Sequence, residues 1–499
     1  MPDEGKKKVV SCWSKMTEDK IQEAYSFNAG YLDFLTSAKT EREAADKISQ
    51  LALAAGFKTL EKIDVPKAGD KLMITSKGKV VALVVIGTQP MEEGFNIVVS
   101  HIDSPRLDLK ARPIYEADGM ALLKTHYYGG IKKYQWPAMP LALHGVVVKK
   151  DGTVKNITIG EKAEDPVFTI ADLLPHLAKD QMEKKMSEAI NAESLNALVG
   201  SRPLLQREDD PIKAFVLNIL QDRFNIVEED LTSAELQLVP AFPAREVGLD
   251  RSMIGAYGQD DRVSAYTSLR AALEVEQPSR TALCLFVDKE EIGSSGNTGL
   301  QSLLIENIVA EIMHKAGIND YFSLRQALAA SHALSADVNA AIDPNYPEVF
   351  EKMNNSFMSQ GVVITKYTGS RGKSGSNDAN PEYIARIRNL FDEAGVIWQI
   401  GELGKVDIGG GGTVAQYIAH YGMEVVDCGV ALLGMHSPFE VSSKVDVYMA
   451  YQAYKVFMEK FSSKVGHQAQ VMEKRGDTPW QKTTSDLRKW SERLAEQQR

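Results

Sequence analysis

The chain has 499 residues, 44% of them apolar and 25% charged, with a formal net charge of −10. That length exceeds what one ordinary core serves, so two domains are expected, and the acidic balance disfavours a general binder of nucleic acid or anionic membrane. Three cysteines without a CxxC pair make no disulfide framework, no apolar run is long enough to span a bilayer, and MPDEGKKKVV lacks the apolar core of a secretory signal; a cytoplasmic protein is expected.

Helical patterning runs from about Thr17 to Ala55 as one apolar stripe ending at Gly56. Leu72 to Gly87 reads as a hairpin turning at Lys77-Gly78, and Asn96 to Ser100 as a strand with His101-Ile102-Asp103 at its end. From Pro105 to Val247 the character changes. Tyr127, Tyr128, Tyr134 and Trp136 crowd around Gly129-Gly130, and a β-like run from Leu141 to Lys149 turns at Asp151-Gly152 into Val154 to Ile159. Helical, charged stretches follow through Ile170 to Ala197 and Asp210 to Asn225. Residues 105–247 are therefore read as an inserted β-rich oligomerisation or lid domain, interrupting a catalytic domain of residues 1–104 and 248–462. The alternating pattern then resumes with a helix from Arg262 to Val275 and a strand after Thr281. Helix Leu300 to Gly317 and strands Ala333 to Asp337 and Gly361 to Tyr367 come next, then helix Pro381 to Ala394 and strands Val396 to Ile400 and Glu424 to Met435. Ser442 and Ser443 are expected to cap a long helix, and residues 463–499 form a polar tail. The expected class is α/β, a mixed central sheet with helices on both faces.

The chemistry centres on Thr281 to Gly299, TALCLFVDKEEIGSSGNTG. Its apolar run has the character of a buried central strand, and it meets Asp288, Glu290 and Glu291 with no turn between. Carboxylates there are costly unless positive charge sits beside them. His101, Asp103, the Asp260-Asp261 pair, Glu290, Glu291, Asp337 and His436 all fall where predicted strands end. Each alone is more often a cap or a hydrogen-bonded core residue. Together they mark the crevice that open α/β sheets place at the carboxyl ends of their strands. Two histidines and several carboxylates suit zinc, and a bridging carboxylate allows two ions. The best ligand candidates are His101, Asp260, Glu291, Asp337 and His436; Glu290, left over, is the natural general base, and Asp103 is placed to fix the His101 tautomer. Gly369 to Ser374 lacks P-loop spacing, and Gly409 to Gly412 permits close backbone approach to a substrate.

The segments SHIDSPRLDLK, GQDDRVSAYTSL, DKEEIGSSGNTG, SADVNAAIDPNYPE and GMHSPFEVSS, in this order, resemble the aspartyl aminopeptidase family of dinuclear zinc peptidases, from about Thr17 to Phe461. The resemblance implies one zinc on His101, Asp260 and Asp337 and a second on Asp260, Glu291 and His436, with Asp260 bridging. Asp261 follows immediately, so the register is open by one residue. It further implies Glu290 as base, Gly411, Gly412 and Thr413 beside the active site, and Co2+ or Mn2+ able to replace zinc. Lys366 would greet an acidic substrate side chain, giving release of N-terminal Asp or Glu from peptides. His176, with His126 and His144 as rivals, would reach a neighbouring subunit's site in a tetrahedral dodecamer assembled from dimers. Rival readings are an aminopeptidase of neutral or basic preference, an N-acyl amino acid hydrolase, and a non-catalytic assembly protein.

Overall fold

Alternate side chains of Ala282–Val287 pack to opposite faces of a sheet: Ala282, Cys284 and Phe286 into one apolar core, Leu283, Leu285 and Val287 into another. That is why the run carries no polar residue. The computed structural model describes residues 11–462, so the expected tail at 463–499 lies outside the described residues. The sheet has nine strands, in the order Lys58–Thr59, Lys71–Ser76, Val80–Val85, Ala282–Val287, Asn96–His101, His332–Ser335, Glu424–Gly429, Val362–Thr365 and Trp398–Ile400. The four strands from Ala282–Val287 to Glu424–Gly429 are mutually parallel, whereas Val80–Val85 and Val362–Thr365 flank them antiparallel. The first core lies under the helices Glu18–Ser37, Glu41–Ala54, Gln259–Glu274, Pro381–Ala394 and Lys444–Lys460. The second lies under Leu304–Lys315, Tyr321–Ala329 and Ala415–Ala419. The α/β expectation holds.

A second, antiparallel sheet of six strands is drawn from Arg106–Ala117, Met120–Tyr128, Leu141–Val148, Val154–Ile159, Ala197–Gly200 and Ala234–Pro240, and it has its own core around Trp136. A third sheet brings Met253–Ala256, Ala431–Leu433 and Glu440–Ser443 together.

Several local expectations are corrected. The stripe from Thr17 to Ala55 is two helices, because Thr40 starts a new one with a capping box closed by Glu43. Ser443 stands at the N-cap of Lys444–Lys460, yet its hydroxyl pairs with that of Ser359 at 2.8 Å and caps nothing. Ile170 to Ala197 contains only two four-residue α-helices, Lys179–Met182 and Met186–Ala189. Its Leu173, Leu174, Leu177, Met182 and Met186 are exposed, so they are no helix's core face. All three cysteines are free and buried, and among the described residues no helix is long and apolar enough to cross a membrane.

Candidate active site

In the parallel register Val287 pairs with His101 and Ser335 with Val99, so His101, Glu290, Glu291 and Asp337 leave the sheet at the same edge. Helix Gln259–Glu274 points its first turn there, and the third sheet supplies His436 from the loop between Ala431–Leu433 and Glu440–Ser443. Asp260 stands between the two histidines: Oδ1 lies 3.2 Å from His101 Nε2 and Oδ2 3.2 Å from His436 Nε2. Asp337 Oδ1 is 3.8 Å from His101 Nε2, and Glu291 Oε2 is 3.4 Å from His436 Nε2. Asp261 Oδ2 accepts the backbone N–H of His101 at 3.3 Å instead of lying between the rings.

The backbone around these groups is pinned by two buried carboxylates. Asp103 accepts the Glu290 N–H on Oδ1 and the Glu291 N–H on Oδ2, both at 3.2 Å. It also faces His101 Nδ1, through its carbonyl oxygen at 3.1 Å and Oδ1 at 3.4 Å. Glu440 accepts the His436 N–H at 2.8 Å and the Asp260 N–H at 3.1 Å, which holds two loops in one geometry. Such outer contacts orient ligands and set imidazole tautomers.

Charge in this crevice is unbalanced. Burial, reinforced by the Asp260 charge, holds the Glu291 carboxyl well above its ordinary range. Burial likewise raises Asp337, with Glu290 and Asp260 adding to the effect, and Glu290 is pushed up to about 7 by burial. Burial alone would lower His436, but its hydrogen bond to Asp260 and the Glu291 charge raise it to about 11. Four carboxylates and two imidazoles thus share one buried space in which the negative charges repel, the situation a cation relieves. Glu291 Oε1 and Asp261 Oδ1 are buried with no hydrogen-bond partner. Donor atoms of His101, Asp260 and Glu291 lie within 4.8 Å of one another, as do those of His101, Asp261 and Asp337. A set of imidazoles and carboxylates with an orphaned oxygen fits zinc.

The sequence pattern of the family described as "Aminopeptidase I zinc metalloprotease (M18)" matches residues 34–458. The chain belongs to the M18 family. A probable M18 family aminopeptidase 1 of Clostridium acetobutylicum is 50% identical over 463 residues, covering 92% of this chain and all of that one. Its Thermotoga maritima counterpart is 47% identical over 446 residues, 88% of this chain and 97% of the relative. The crystal structure of an M18 aminopeptidase from Thermotoga maritima superposes with a TM-score of 0.88 at 46% identity, covering 91% of this chain and 99% of that one. A yeast structure described as an mApe1 dodecamer shares the fold, with a TM-score of 0.70 at 22% identity over 89% of this chain and 98% of its own. This M18 protein is a zinc aminopeptidase that removes N-terminal residues from peptides.

The remaining expected residues of the aminopeptidase are not drawn to the cluster. Val362–Thr365 runs against the parallel strands, so it carries Lys366 toward the opposite edge of the sheet. The Lys366 ammonium lies 3.2 Å from Asp378, and the side chain is half exposed. His144 is buried between Glu43 at 2.7 Å and Glu161 at 2.9 Å, a structural role. His176 and His126 are exposed, and neither is seated in the cluster of its own subunit. Gly411 pairs with Gly369, Gly412 precedes Thr413, and Thr413 lies beside Asp427, which burial raises to about 6. Sequence reasoning passed over Tyr128, Gly129, Gly130 and Glu440 as site residues. The Gly129-Gly130 pair beside a buried tyrosine was the available signal: a Cβ on Gly129 would stand 3.3 Å from Glu291 Oε2, and one on Gly130 would stand 3.3 Å from His436 Nδ1.

Proposed function

We propose that the peptidase works with two zinc-class ions, one on His101, Asp260 and Asp337, the other on Asp260, Glu291 and His436. The observation that carries this reading is the Asp260 carboxylate, with one oxygen turned to each histidine at 3.2 Å. Bound zinc supplies Lewis acidity to the scissile carbonyl and lowers the pKa of water. Glu290, poised by burial and held through its amide by Asp103, takes the proton of the attacking water and hands it to the leaving amine. Asp103 and Glu440 keep the backbones of base and ligands from drifting. Co2+ and Mn2+, which accept the same donors, substitute for zinc.

The reading includes assembly of dimers into a tetrahedral dodecamer, with exposed His176 directed to a neighbouring subunit. Its support is the exposed apolar set around His176 (Leu173, Leu174, Leu177, Met182 and Met186) and the dodecamer of the yeast relative. Light scattering on the zinc-loaded protein, with zinc counted in the same sample, is expected to give twelve times the 55.0 kDa chain mass and two ions per chain. A monomer mass removes the assembly reading, and a single ion removes the dinuclear one.

Release of N-terminal Asp or Glu, with Lys366 meeting the acidic side chain, is the finer alternative, and it requires that ammonium to leave Asp378, 3.2 Å away. Exposed ion pairs of this kind are worth little, so Lys366→Met is expected to change kcat/KM by no more than about fivefold, and equally for Asp- and Leu-anilides. A loss confined to Asp- and Glu-anilides would restore Lys366 as the specificity group.

A further inference from the structure

The hairpin strand Met120–Tyr128 belongs to the second sheet, yet its end reaches the catalytic cluster at two points. The Tyr128 hydroxyl donates to Asp103 Oδ2 at 2.8 Å. Two residues on, the Gly130 carbonyl accepts from His436 Nδ1 at 2.8 Å, leaving Nε2 to face Asp260 and Glu291. The tyrosine ring is itself fixed: the Arg106 guanidinium lies 3.8 Å from its centroid, and Arg106 is held by Asp108 at 2.8 Å and Glu41 at 3.4 Å. The ring is thus held so that its hydroxyl points at Asp103.

That acceptor matters because Asp103 Oδ2 also takes the Glu291 N–H while Oδ1 takes the Glu290 N–H. A carboxylate free to rotate would share these two amides badly. We propose that Tyr128 is a positioning residue for the peptidase reaction: its hydroxyl locks the Asp103 carboxylate in the rotamer that aligns the Glu290-Glu291 backbone. The second sheet thereby takes part in the reaction through the Tyr128 hydroxyl, alongside the Gly130 carbonyl that holds His436. This inference rests on Glu290 and Glu291 acting as base and ligand.

Outer-shell partners of this kind typically change activity about 10- to 100-fold. Tyr128→Phe keeps the ring under Arg106 and removes only the donor. It is expected to lower kcat about tenfold with KM nearly unchanged, while melting temperature and oligomer mass stay at wild-type values. Tyr128→Leu, which also loses the ring, should lower kcat no further. In an Asp103→Asn background Tyr128→Phe should add almost nothing, since the two act in series. A readout independent of turnover is amide hydrogen exchange over residues 288–293, which should speed up in Tyr128→Phe with the rest of the chain unchanged. Wild-type kcat and exchange in Tyr128→Phe, with loss only in Tyr128→Leu, would show that the ring merely packs and would overturn the proposal. Additive losses in the Asp103→Asn background would also overturn it. Because exchange reads the backbone alone, it separates this inference from the assignment of Glu290: faster exchange in an enzyme whose Glu290→Gln variant stays active would leave the clamp standing and remove the base.

Discussion

Glu290→Gln is expected to lose about 10²- to 10⁴-fold in kcat while keeping both metal ions, because an amide cannot take a proton from water. Glu291→Gln, one residue away, is expected to bind one ion fewer. The two glutamates are neighbours pinned through their amides to one carboxylate, so a gross distortion would strike both alike. Their side chains differ in surroundings. Glu291 turns Oε2 to His436 and keeps Oε1 buried without a partner, as a ligand does. Among the described residues the Glu290 side chain has no hydrogen bond or ion pair, and burial holds its carboxyl at about 7, near the pH at which it must accept and release a proton. Metal counting on both variants checks the assignment. Equal loss of metal in the two would mean that base and ligand have been confused.

The cluster of ionisable residues was more legible in the sequence than the frame that supports it. His101, Glu290, Glu291 and Asp337 were readable because apolar runs end abruptly in ionisable residues, and such runs are central parallel strands. Asp260 was readable only with an ambiguity of one, since which of two adjacent carboxylates faces a crevice depends on the local turn into helix Gln259–Glu274. The direction in which the chain carries Lys366 is something no local pattern reveals. Val362–Thr365 looks like its neighbours in composition, and only its antiparallel pairing with Glu424–Gly429 shows that it runs toward the opposite edge. The longest hairpin, Arg106–Ala117 with Met120–Tyr128, was missed as well. It is half exposed, and its register shifts between Leu109 and Ile114, which breaks the period-two signal. With the hairpin unseen, Tyr128 and Gly130 had no place near the site. Glu440 was hidden in another way: nothing in a lone glutamate beside Val441 announces that it will accept two backbone amides.

Removing the metal is expected to abolish hydrolysis and to destabilise the fold, increasingly so as pH rises. A ligand bound only to the native state contributes about 4 kcal/mol at a thousandfold excess over its Kd, so loss of two ions should lower the melting temperature clearly. The pH dependence follows from the carboxyls left behind. Burial raises Asp427 to about 6, Glu290 to about 7 and Glu440 to about 8, while Asp261, Glu291 and Asp337 also stand above their ordinary range. Unfolded, such groups ionise near about 4. The folded apoprotein therefore binds more protons than the unfolded chain, and its stability falls as pH climbs from about 4 through about 8. In the loaded protein the cations replace those protons, which flattens the dependence. The gap in melting temperature between EDTA-treated and zinc-loaded protein should widen from about pH 5 to about pH 8. Zn2+, Co2+ or Mn2+ added back should restore both stability and turnover. A gap that stays constant or narrows with pH would mean that the crevice carboxylates are balanced by protein groups rather than by metal. Full activity in rigorously metal-free protein would remove the metal-dependent scheme altogether.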